Sequence, residues 1–336
     1  MALILPASDP AAIEAAARRL AEGSLVGLPT ETVYGLAADA AQADAVRRIF
    51  AAKGRPSDHP LIVHVAPADG GDWPAAVAPF ARELPDFALA LMRAFWPGPL
   101  TLILPRWPEV AAVATGGQDS VGLRCPSHPV AQAVLQAARR LGVQGVAAPS
   151  ANRFGRVSPT TADHVAGEFT ALSDDELLVL DGGACPVGIE STIVDCSRGR
   201  PVLLRPGMIT PAALEAVAGL PVQGRDEAAP KASGTLESHY APSAKVRLMD
   251  VKALQAALDV LGKDARHIAI YARTPVKTAS GVVVRRMPGD ATEAARALFA
   301  ALRELDATGV RLIWVETPPE GAEWDGVRDR LSRAAA

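Results

Sequence analysis

The first 205 residues contain eight short apolar segments that resemble strands but only four segments with helical periodicity. This excess of strands over helices limits the folds that the chain can adopt. The strand-like segments are 24–28, 61–65, 100–104, 121–123, 145–148, 177–180, 192–194 and 202–204. The segments with helical periodicity are 9–23, 42–52, 80–95 and 128–141. Parallel neighbours need a long crossover, so strands that follow one another directly indicate antiparallel pairs as well. We predict an α/β fold with a twisted, mixed, open sheet and flanking helices.

The character of the chain changes after residue 219. Residues 220–244 are polar and irregular, with several prolines and glycines and no apolar period, which is typical of a linker. Beyond them the strand-like segments are 245–249, 267–271, 282–285 and 312–315, and the helical ones are 251–261 and 291–305. A chain of 336 residues that is 49% hydrophobic can bury two cores. We predict a first domain over 1–219, a linker over 220–244 and a smaller Rossmann-like α/β domain over 245–336.

Several familiar site motifs are missing from the sequence. It contains neither a Walker loop nor a Gly-x-Gly-x-x-Gly turn, and neither a His-Glu-x-x-His helix nor a Gly-x-Ser-x-Gly elbow. Any phosphate site must then be built from side chains. The cysteines Cys125, Cys185 and Cys196 lie far apart and form no Cys-x-x-Cys pair, which disfavours a zinc or redox site and fits a reducing compartment. We predict no dedicated metal ligands.

Charge and hydropathy restrict the partners of the chain. A formal net charge of −3 disfavours a general nucleic-acid binder, which usually carries a basic footprint. No apolar run reaches the roughly 18 residues that a membrane-spanning helix needs, and the apolar start Leu3–Leu5 lacks a basic leader. We expect neither a membrane anchor nor a secretion signal, and therefore a cytoplasmic protein.

The loop Lys53-Gly54-Arg55-Pro56 closes the predicted helix 42–52. A cation followed by glycine is also an ordinary helix end, because the cation offsets the helix dipole and the glycine accepts a left-handed conformation. Taken alone, the loop is best explained in this way. Its neighbours favour an anion-binding function, since His59 follows and His64 stands among aliphatic residues in the next strand.

Polar side chains follow other predicted strands as well. Thr30-Glu31-Thr32 comes after the first strand, Ser150 and Asn152 follow 145–148, and Arg124 and Arg205 stand at strand ends. Strand ends in α/β sheets commonly hold ligands, and guanidinium groups suit carboxylates and phosphates. The hydroxyls and amides are equally compatible with local turns. No single segment decides between the two interpretations.

Three segments taken together carry a family resemblance. Pro29–Leu36 reads PTETVYGL, Lys53–Leu61 reads KGRPSDHPL and Ala148–Asn152 reads APSAN. They resemble the L-threonylcarbamoyladenylate synthases, including that family's Lys-x-Arg and Ser-x-Asn signatures. Support continues through 188–195, 205–207 and 238–242, so that the resemblance covers about the first 245 residues, and the tail is similar to the longer two-domain branch. The resemblance implies the YrdC-like fold, which is DHBP-synthase-like.

The resemblance also implies a reaction. L-threonine captures bicarbonate or CO2 as a carbamate, which attacks the α-phosphate of ATP and releases pyrophosphate, with Mg2+ bridging phosphate oxygens. Such an enzyme is a nucleotidyltransferase that makes L-threonylcarbamoyl-AMP. A downstream threonylcarbamoyl-transferase complex then modifies the adenosine next to the anticodon of certain tRNAs.

Residue by residue, the resemblance implies the following site. The catalytic cations are Lys53 and Arg55. The residues expected to bind L-threonine are Thr32, His64, Arg124, Ala148 and Ser191. The residues expected to bind ATP are Arg55, His59, Thr115, Ser150, Asn152, Ser158, Arg205 and Tyr240. Because Tyr240 lies in the linker, it would fold over the nucleotide and make the linker a lid.

Other functions compete with this one. A YrdC-like module that binds RNA without catalysis is disfavoured by the net negative charge and by an aromatic content of 4%, although a weak contact with tRNA stays open. A carbamoyl-transfer domain like that of hydrogenase-maturation proteins would bring Cys-x-x-Cys motifs, which this sequence lacks. A purely structural subunit would have little use for so many polar strand ends.

Overall fold

The chain is organised around two β-sheets, and the computed structural model describes residues 2–236 and 238–336. The strands of the larger sheet are β1 (Leu3–Pro6), β2 (Leu25–Leu28), β3 (Gly35–Asp39), β4 (Ile62–His64), β5 (Leu100–Pro105), β6 (Ser120–Arg124), β7 (Val146–Ala147), β8 (Leu177–Asp181), β9 (Thr192–Asp195), β10 (Val202–Arg205) and β11 (Gln223–Gly224). The helices around it are α1 (Pro10–Ala21), α2 (Ala43–Lys53), α3 (Trp73–Val77), α4 (Asp86–Phe95), α5 (Pro129–Arg140), α6 (Ala162–Glu168) and α7 (Pro211–Ala218).

The larger sheet mixes parallel and antiparallel pairs. Its strand order is β1-β8-β2-β3-β7-β4-β6-β5-β9-β10-β11. β2 and β3 form an antiparallel hairpin, β7 is antiparallel to both of its neighbours, and β4 runs parallel to β6. The prediction of a mixed α/β sheet with flanking helices is confirmed.

Helices cover both faces of this sheet because its central strands are apolar on both sides. In β8, Leu178 and Leu180 join a cluster with Leu20 of α1 and Leu135 of α5. The alternate residues Leu177 and Val179 join a second cluster with side chains of α2 and α4. Successive strand residues point to opposite faces, so one continuously apolar strand packs against two helical layers.

The helix predicted over 80–95 begins later than expected, at Asp86. Pro85 disfavours a helical conformation for the residue before it, so the helix starts after the proline. The residues upstream are used differently, since Ala81 forms an isolated antiparallel bridge with Arg106. Six elements of the larger unit were not predicted at all: β1, β3, β11, α3, α6 and α7.

The second sheet is smaller and purely parallel. Its strands are β12 (Lys245–Met249), β13 (Ile268–Ala272), β14 (Val283–Arg286) and β15 (Leu312–Glu316), in the order β12-β15-β13-β14. Its helices are α8 (Val251–Leu261), α9 (Ala291–Ala307) and α10 (Asp325–Ala334). Each strand pair is parallel, which confirms the predicted smaller α/β sheet.

The carboxyl end of β15 is filled by the chain's own carboxylate. Glu316 accepts hydrogen bonds from the backbone N–H groups of Arg273 and Thr274, each at 2.7 Å, and from the Thr274 hydroxyl at 2.9 Å. An ion pair at 2.9 Å joins it to the Arg273 guanidinium. Ligands in such folds usually bind at this edge of the sheet. In this sheet, the N–H and O–H donors that could hold an anionic ligand are already hydrogen-bonded to the Glu316 carboxylate.

The two units meet closely along the loop of residues 187–191. At Gly188, with φ of 81°, an added Cβ would lie 2.5 Å from the Cα of Arg296 in α9. At Gly326 of α10, an added Cβ would lie 2.7 Å from Ile189. Only glycine lets these backbones approach so closely. Two helices of the smaller unit, α9 and α10, therefore rest directly on a loop that follows β8.

None of the helices in residues 2–236 and 238–336 combines the length and the apolar character that a membrane crossing requires. Cys125, Cys185 and Cys196 are buried free thiols.

Candidate active site

A pocket opens between the central strands of the larger sheet and the segment that leads to the second sheet. Its walls come from the β2–β3 loop, the ends of β4, β6 and β10, the residues after β7 and the residues before β9. The side chains and backbone that line it are Thr30, Thr32, Val33, Gly35, Arg55, Ile62, His64, Arg124, Ala148, Pro149, Ser150, Glu190, Ser191, Arg205, Ser233, Gly234, His239 and Tyr240.

The threonines of the β2–β3 loop fit both a hydrogen-bonded turn and a ligand-binding strand end. The Thr30 hydroxyl donates to the Val33 carbonyl at 2.5 Å, and it also lies 2.9 Å from the Thr32 hydroxyl. Thr30 thus closes the turn locally, as a Thr-rich turn would. Thr32, also fully buried, is held by Thr30 and lines the pocket.

His64 and Arg124 stand side by side because β4 and β6 are parallel with these two residues in register. Burial, with a further contribution from the Arg124 charge, lowers the pKa of His64 to about 3. The imidazole is therefore neutral near pH 7. Its Nδ1 is buried without a hydrogen-bond partner, which leaves it available to a ligand.

Arg124 is paired with a carboxylate that the sequence did not single out. Its Nη2 lies 2.8 Å from Oε1 of Glu31, and both side chains are almost fully buried. The two atoms are close but poorly aligned, since neither makes a hydrogen bond. The guanidinium also donates through Nε to the Gly98 carbonyl at 3.3 Å. The Arg124 charge in the pocket wall is therefore already balanced in part by a buried carboxylate.

Arg205 joins the loop before β9 to the end of β10. Its Nε and Nη2 donate to the Ser191 carbonyl at 3.1 and 2.9 Å, and its Nη1 donates to the Ser233 carbonyl at 2.9 Å. The Ser191 hydroxyl lies 2.8 Å from that of Thr101. Arg205 thereby brings a charge, the Ser191 backbone and the connecting segment to one point in the pocket.

Arg55 is the cation at the other end of the pocket. It is buried, its Nη2 donates to the Pro60 carbonyl at 3.0 Å, and its Nε has no partner. Its guanidinium carbon lies 5.8 Å from the centre of the Phe154 ring. Burial, together with repulsion from Arg205, lowers its pKa to about 10, which still leaves it charged at neutral pH. Two converging cations with an unused donor suit a phosphate chain.

Lys53 does not line the pocket. The left-handed Gly54, with φ of 62°, ends α2 as the local interpretation of this loop predicts. The Lys53 ammonium donates to the carbonyls of Ser150, at 2.6 Å, and Asn152. Burial and the nearby Arg55 charge lower the pKa of Lys53 well below its usual range. Lys53 holds the loop that carries Ser150, which does line the pocket.

The other predicted nucleotide residues lie around the pocket without lining it. Asn152 donates to the carbonyls of Arg153 and Arg156, and Thr115 donates to the Ala112 carbonyl. Ser158 donates to the Glu190 carboxylate. His59 lines a neighbouring cavity. Its ring and that of Phe154 are roughly perpendicular, with their centres 5.5 Å apart.

Two charged residues of this region, Glu190 and Arg330, were not predicted as site residues. Glu190 lines the pocket and is ion-paired at 2.9 Å with Arg330, a fully buried side chain of α10. The two residues are 140 positions apart, so no local pattern links them. Glu190 lies within a segment that contributed to the family resemblance. Its position beside Arg205 in the pocket could be seen only in the folded structure.

Tyr240 closes the pocket from the connecting segment, residues 220–244. It has a positive φ of 62°, unusual for a side chain of this size, and it is buried. The centre of its ring lies 4.1 Å from that of the His239 ring and 5.4 Å from that of the Phe299 ring in α9. Its hydroxyl has no hydrogen-bond partner.

The free space in the pocket is small, about 30 Å³. That is room for one or two water molecules, far below the few hundred Å³ typical of ligand sites. A second cavity of about 260 Å³ adjoins it, shares Arg55, Gly234 and His239 with it and is bounded by the same connecting segment. A ligand of nucleotide size therefore does not fit the pocket in this conformation.

No group of three or more His, Cys, Asp or Glu side chains in the described parts of the chain is arranged to hold a metal ion. The carboxylate that lines the pocket, Glu190, has one oxygen engaged by Ser158 and the other by Arg330. A cation in this pocket would have to take its ligands mainly from water and from the substrate.

The geometry can be compared with known proteins. A family model described as "Telomere recombination", for Sua5, YciO and YrdC, matches residues 18–207. A second, described as "Threonylcarbamoyl-AMP synthase, C-terminal domain", matches residues 209–336. The threonylcarbamoyl-AMP synthase of Pyrococcus abyssi is 37% identical over 334 residues, which cover 96% of this chain and 94% of that protein. The chain belongs to the threonylcarbamoyl-AMP synthase family.

Further members of this synthase family align over nearly the whole chain. The Bacillus subtilis threonylcarbamoyl-AMP synthase is 36% identical, with 98% of this chain and 94% of that protein covered. The crystal structure of Pyrococcus abyssi Sua5 complexed with L-threonine matches with a TM-score of 0.87 at 35% identity, over 100% of this chain and 97% of that one. A Sua5 variant in which a histidine and a tyrosine are replaced by alanine matches with a TM-score of 0.89 at 35% identity, over 100% and 96%. The resemblance to a synthase family is confirmed, and the chain is a member of an enzyme family.

Proposed function

We propose that this chain is an L-threonylcarbamoyl-AMP synthase, a nucleotidyltransferase that condenses L-threonine, bicarbonate or CO2, and ATP. The observation that carries the proposal is one pocket with two chemically different walls. One wall has His64 and Arg124 in register beside Thr32, and the other has the cations Arg55 and Arg205. A neutral imidazole and a guanidinium fork suit the hydroxyl and carboxylate of an amino acid, and paired arginines suit phosphates.

On this proposal the residues divide between two substrates. Thr32, His64, Arg124, Ala148 and Ser191 bind L-threonine, with Arg124 facing its carboxylate. Arg55, Ser150, Arg205 and Tyr240 contact ATP. His59 extends the ATP site into the adjoining cavity. Lys53, Thr115, Asn152 and Ser158 support these residues from behind, since each is hydrogen-bonded to the chain itself.

The chemistry needs positive charge more than it needs a nucleophile from the protein. The threonine amine combines with bicarbonate to give a carbamate and water. A carbamate oxygen then bonds to the α-phosphorus of ATP as the bond to the bridging oxygen breaks and pyrophosphate leaves. Both reactants are anions, so Arg55 and Arg205 lower the barrier by offsetting their repulsion as they approach. Exclusion of water by Tyr240 protects the mixed anhydride product from hydrolysis.

We propose that Mg2+ enters with ATP and is held through phosphate oxygens and water. Such ions usually keep several waters and need only one or two protein ligands. When bound, the ion neutralises charge on the leaving pyrophosphate.

We also propose how the parts of the chain divide the work. Residues 1–219 carry the chemistry, residues 220–244 act as a lid, and residues 245–336 support that lid. The product would pass to a separate threonylcarbamoyl-transferase complex in the cytoplasm that modifies tRNA, and tRNA itself would touch this chain weakly.

Pyrophosphate release by the purified chain tests the proposal. We expect release from ATP only when L-threonine, bicarbonate and Mg2+ are all present, with L-threonylcarbamoyl-AMP identified by mass spectrometry. Valine is the matched control substrate, because it has the shape of threonine without the hydroxyl that Thr32 and Ser191 would bind. Release that does not depend on threonine would overturn the proposal.

A further inference from the structure

One residue of the smaller unit contacts three segments of the pocket without lining it. Arg330 of α10 donates through Nε to the Glu190 carboxylate at 2.9 Å and through Nη2 to the Glu190 carbonyl at 3.0 Å. Its Nη1 donates to the Pro206 carbonyl at 2.6 Å. Its guanidinium carbon lies 5.6 Å from the centre of the Tyr240 ring. The side chain is completely buried.

These contacts bear on residues that line the pocket. Glu190 precedes Ser191, and Pro206 follows Arg205, so Arg330 ties together two loops whose next residues face the ligand space. Arg205 joins the same two loops from the other side through the Ser191 carbonyl. A guanidinium spreads five N–H donors over a planar fork and can satisfy fixed acceptors on opposite sides, whereas the three donors of an ammonium sit on a single atom.

Charge makes the position of Arg330 matter for an anionic ligand. Glu190 is a buried carboxylate within the pocket wall, beside Arg205. Burial raises the pKa of Glu190, but the charges of Arg330 and Arg205 and the hydrogen bonds from Ser158 and Arg330 outweigh this and lower it overall. Glu190 is thus an anion at neutral pH. Without Arg330, its charge would repel a polyphosphate and would compete for Arg205.

We propose that Arg330 is a positioning residue for the ATP side of the pocket. It neutralises Glu190, holds the loops before β9 and after β10 in place, and supports the Tyr240 ring over the site. The smaller unit thereby acts on nucleotide binding through a single buried side chain. This inference rests on the proposed function, because it assumes that the anionic substrate is ATP.

Steady-state kinetics of the full chain test the inference. In Arg330→Met, we expect the KM for ATP to rise at least about tenfold, since an uncompensated like charge in the wall of a binding site costs an anionic ligand about one tenfold step in affinity or more. The KM for L-threonine, a neutral zwitterion, should change much less. The double variant Arg330→Met/Glu190→Gln removes both charges and keeps the acceptor for Ser158, and it should recover most of the affinity for ATP.

The matched control is Arg328→Met. Arg328 lies on the same helix, but its contacts are with the Pro319 and Gly321 carbonyls and with Asp325, all within the smaller unit. It should behave like the wild type. Thermal melting of every variant separates loss of fold from loss of affinity. If Arg330→Met does not fold, Arg330→Lys takes its place. We expect a raised KM for ATP, because one ammonium nitrogen cannot reach all four acceptors of Arg330, which are the Glu190 carboxylate, the Glu190 and Pro206 carbonyls and the Asp329 carboxylate.

Each outcome decides a different point. A wild type that makes no pyrophosphate overturns the proposed function and this inference with it. An active wild type with an unchanged KM for ATP in Arg330→Met or Arg330→Lys overturns the inference alone. So does a lowered melting temperature with no change in the KM for ATP, and so does a double variant that is no better than Arg330→Met, because those results describe a residue that only joins the two units.

Discussion

Lys53 and Arg55 lie two positions apart, yet they face different surroundings. The Lys53 ammonium is buried on two backbone carbonyls, whereas Arg55 reaches the pocket with an unused Nε. The residue between them, Gly54, turns the chain through a left-handed conformation. The same short motif therefore supplies one cation to hold a loop and one to meet a ligand.

Substitution by methionine should separate these two roles. We expect Lys53→Met to lower the free energy of unfolding by about 2 to 4 kcal/mol, because two buried carbonyls lose their hydrogen-bond donor. Arg55→Met should cost less stability but slow pyrophosphate release by about a hundredfold or more, the effect of losing one donor to the transition state. Urea unfolding and initial rates measure the two quantities. Wild-type stability in Lys53→Met would contradict this division.

His64 makes the stability of the fold depend on pH. Its pKa is about 3 in the folded chain, chiefly because of burial, against an ordinary value of 6.5. Below about pH 6.5 the imidazole is protonated in the unfolded chain but stays neutral in the folded chain. The contribution of His64 to the free energy of unfolding is therefore fully present above that pH and decreases as the pH is lowered towards 3. The slope for one such histidine approaches about 1.4 kcal/mol per pH unit.

The measurement is urea unfolding at pH 7, 6 and 5. His64→Asn should flatten the loss of stability between pH 6 and 5 relative to the wild type. The control is His267→Asn, since His267 is exposed. A slope in His64→Asn as steep as that of the wild type would show that His64 takes no part.

The sequence predicted most of the residues that meet in the pocket, because short motifs around strand ends carry them. Thr32, His64 and Arg124 are examples that the structure does place together. Glu31 lies inside a quoted motif, but its pairing with Arg124 joins the β2–β3 loop to the end of β6, which is distant in sequence. Arg330 had no local signal, because its partner Glu190 lies 140 residues earlier.

Among the elements, the connecting segment is clamped shut by polar contacts at one residue. The Lys231 backbone N–H donates to the Gln118 side chain at 2.7 Å, and the Gln118 amide donates back to the Lys231 carbonyl at 3.2 Å. The Lys231 ammonium pairs with Asp58 at 2.8 Å. These groups are at least half exposed or lie at the surface, so the clamp is weak enough to open.

Gln118→Ala should therefore loosen the connecting segment without unfolding the sheet. We expect faster cleavage by trypsin after Arg225 and Lys231, because loss of the paired hydrogen bonds lets this stretch sample open conformations more often. The rate of cleavage is followed by mass spectrometry. Gln136→Ala, on the exposed face of α5, is the control. Equal cleavage rates in both variants would argue against a clamp at Lys231.

Element types were easier to predict than their limits. Apolar runs such as 100–104 and 177–180 identified strands because both faces of the sheet are covered. β3 (Gly35–Asp39) was missed because its first two residues belong to the motif Pro29–Leu36 and its other residues, mostly small, gave no strand pattern. The late start of α4 follows from Pro85, which the periodicity from residue 80 concealed.

At the scale of the whole molecule, the two units share a buried surface that neither could bury alone. Ile189 and Tyr240 belong to the same apolar cluster as Leu298 and Phe299 of α9. The family models divide the chain near residue 208, but this cluster crosses that division. The sequence separated the units through the composition of residues 220–244, and no pattern in it revealed how tightly they pack.

Two glycines with the same backbone conformation test that packing. Gly188 and Gly183 both have φ of 81°, yet an added Cβ would meet the α9 backbone at 2.5 Å in the first case and open space in the second. Both substitutions by alanine carry the strain of a left-handed residue, about 1 kcal/mol. Gly188→Ala should lose more stability than this, and Gly183→Ala should not. Calorimetric melting that is equal for the two variants would show that the units are not held together at this point.

The long interval between Glu190 and Arg330 affects how the chain matures on the ribosome. Glu190 is synthesised 140 residues before the arginine that neutralises it. A nascent larger unit can assemble its sheet early, since domains fold as units from the amino terminus during translation. Its pocket would keep an unbalanced carboxylate until α10 has been made and docked. On the function proposed above, tight binding of an anionic substrate would wait for the docking of α10 rather than for the folding of the first sheet.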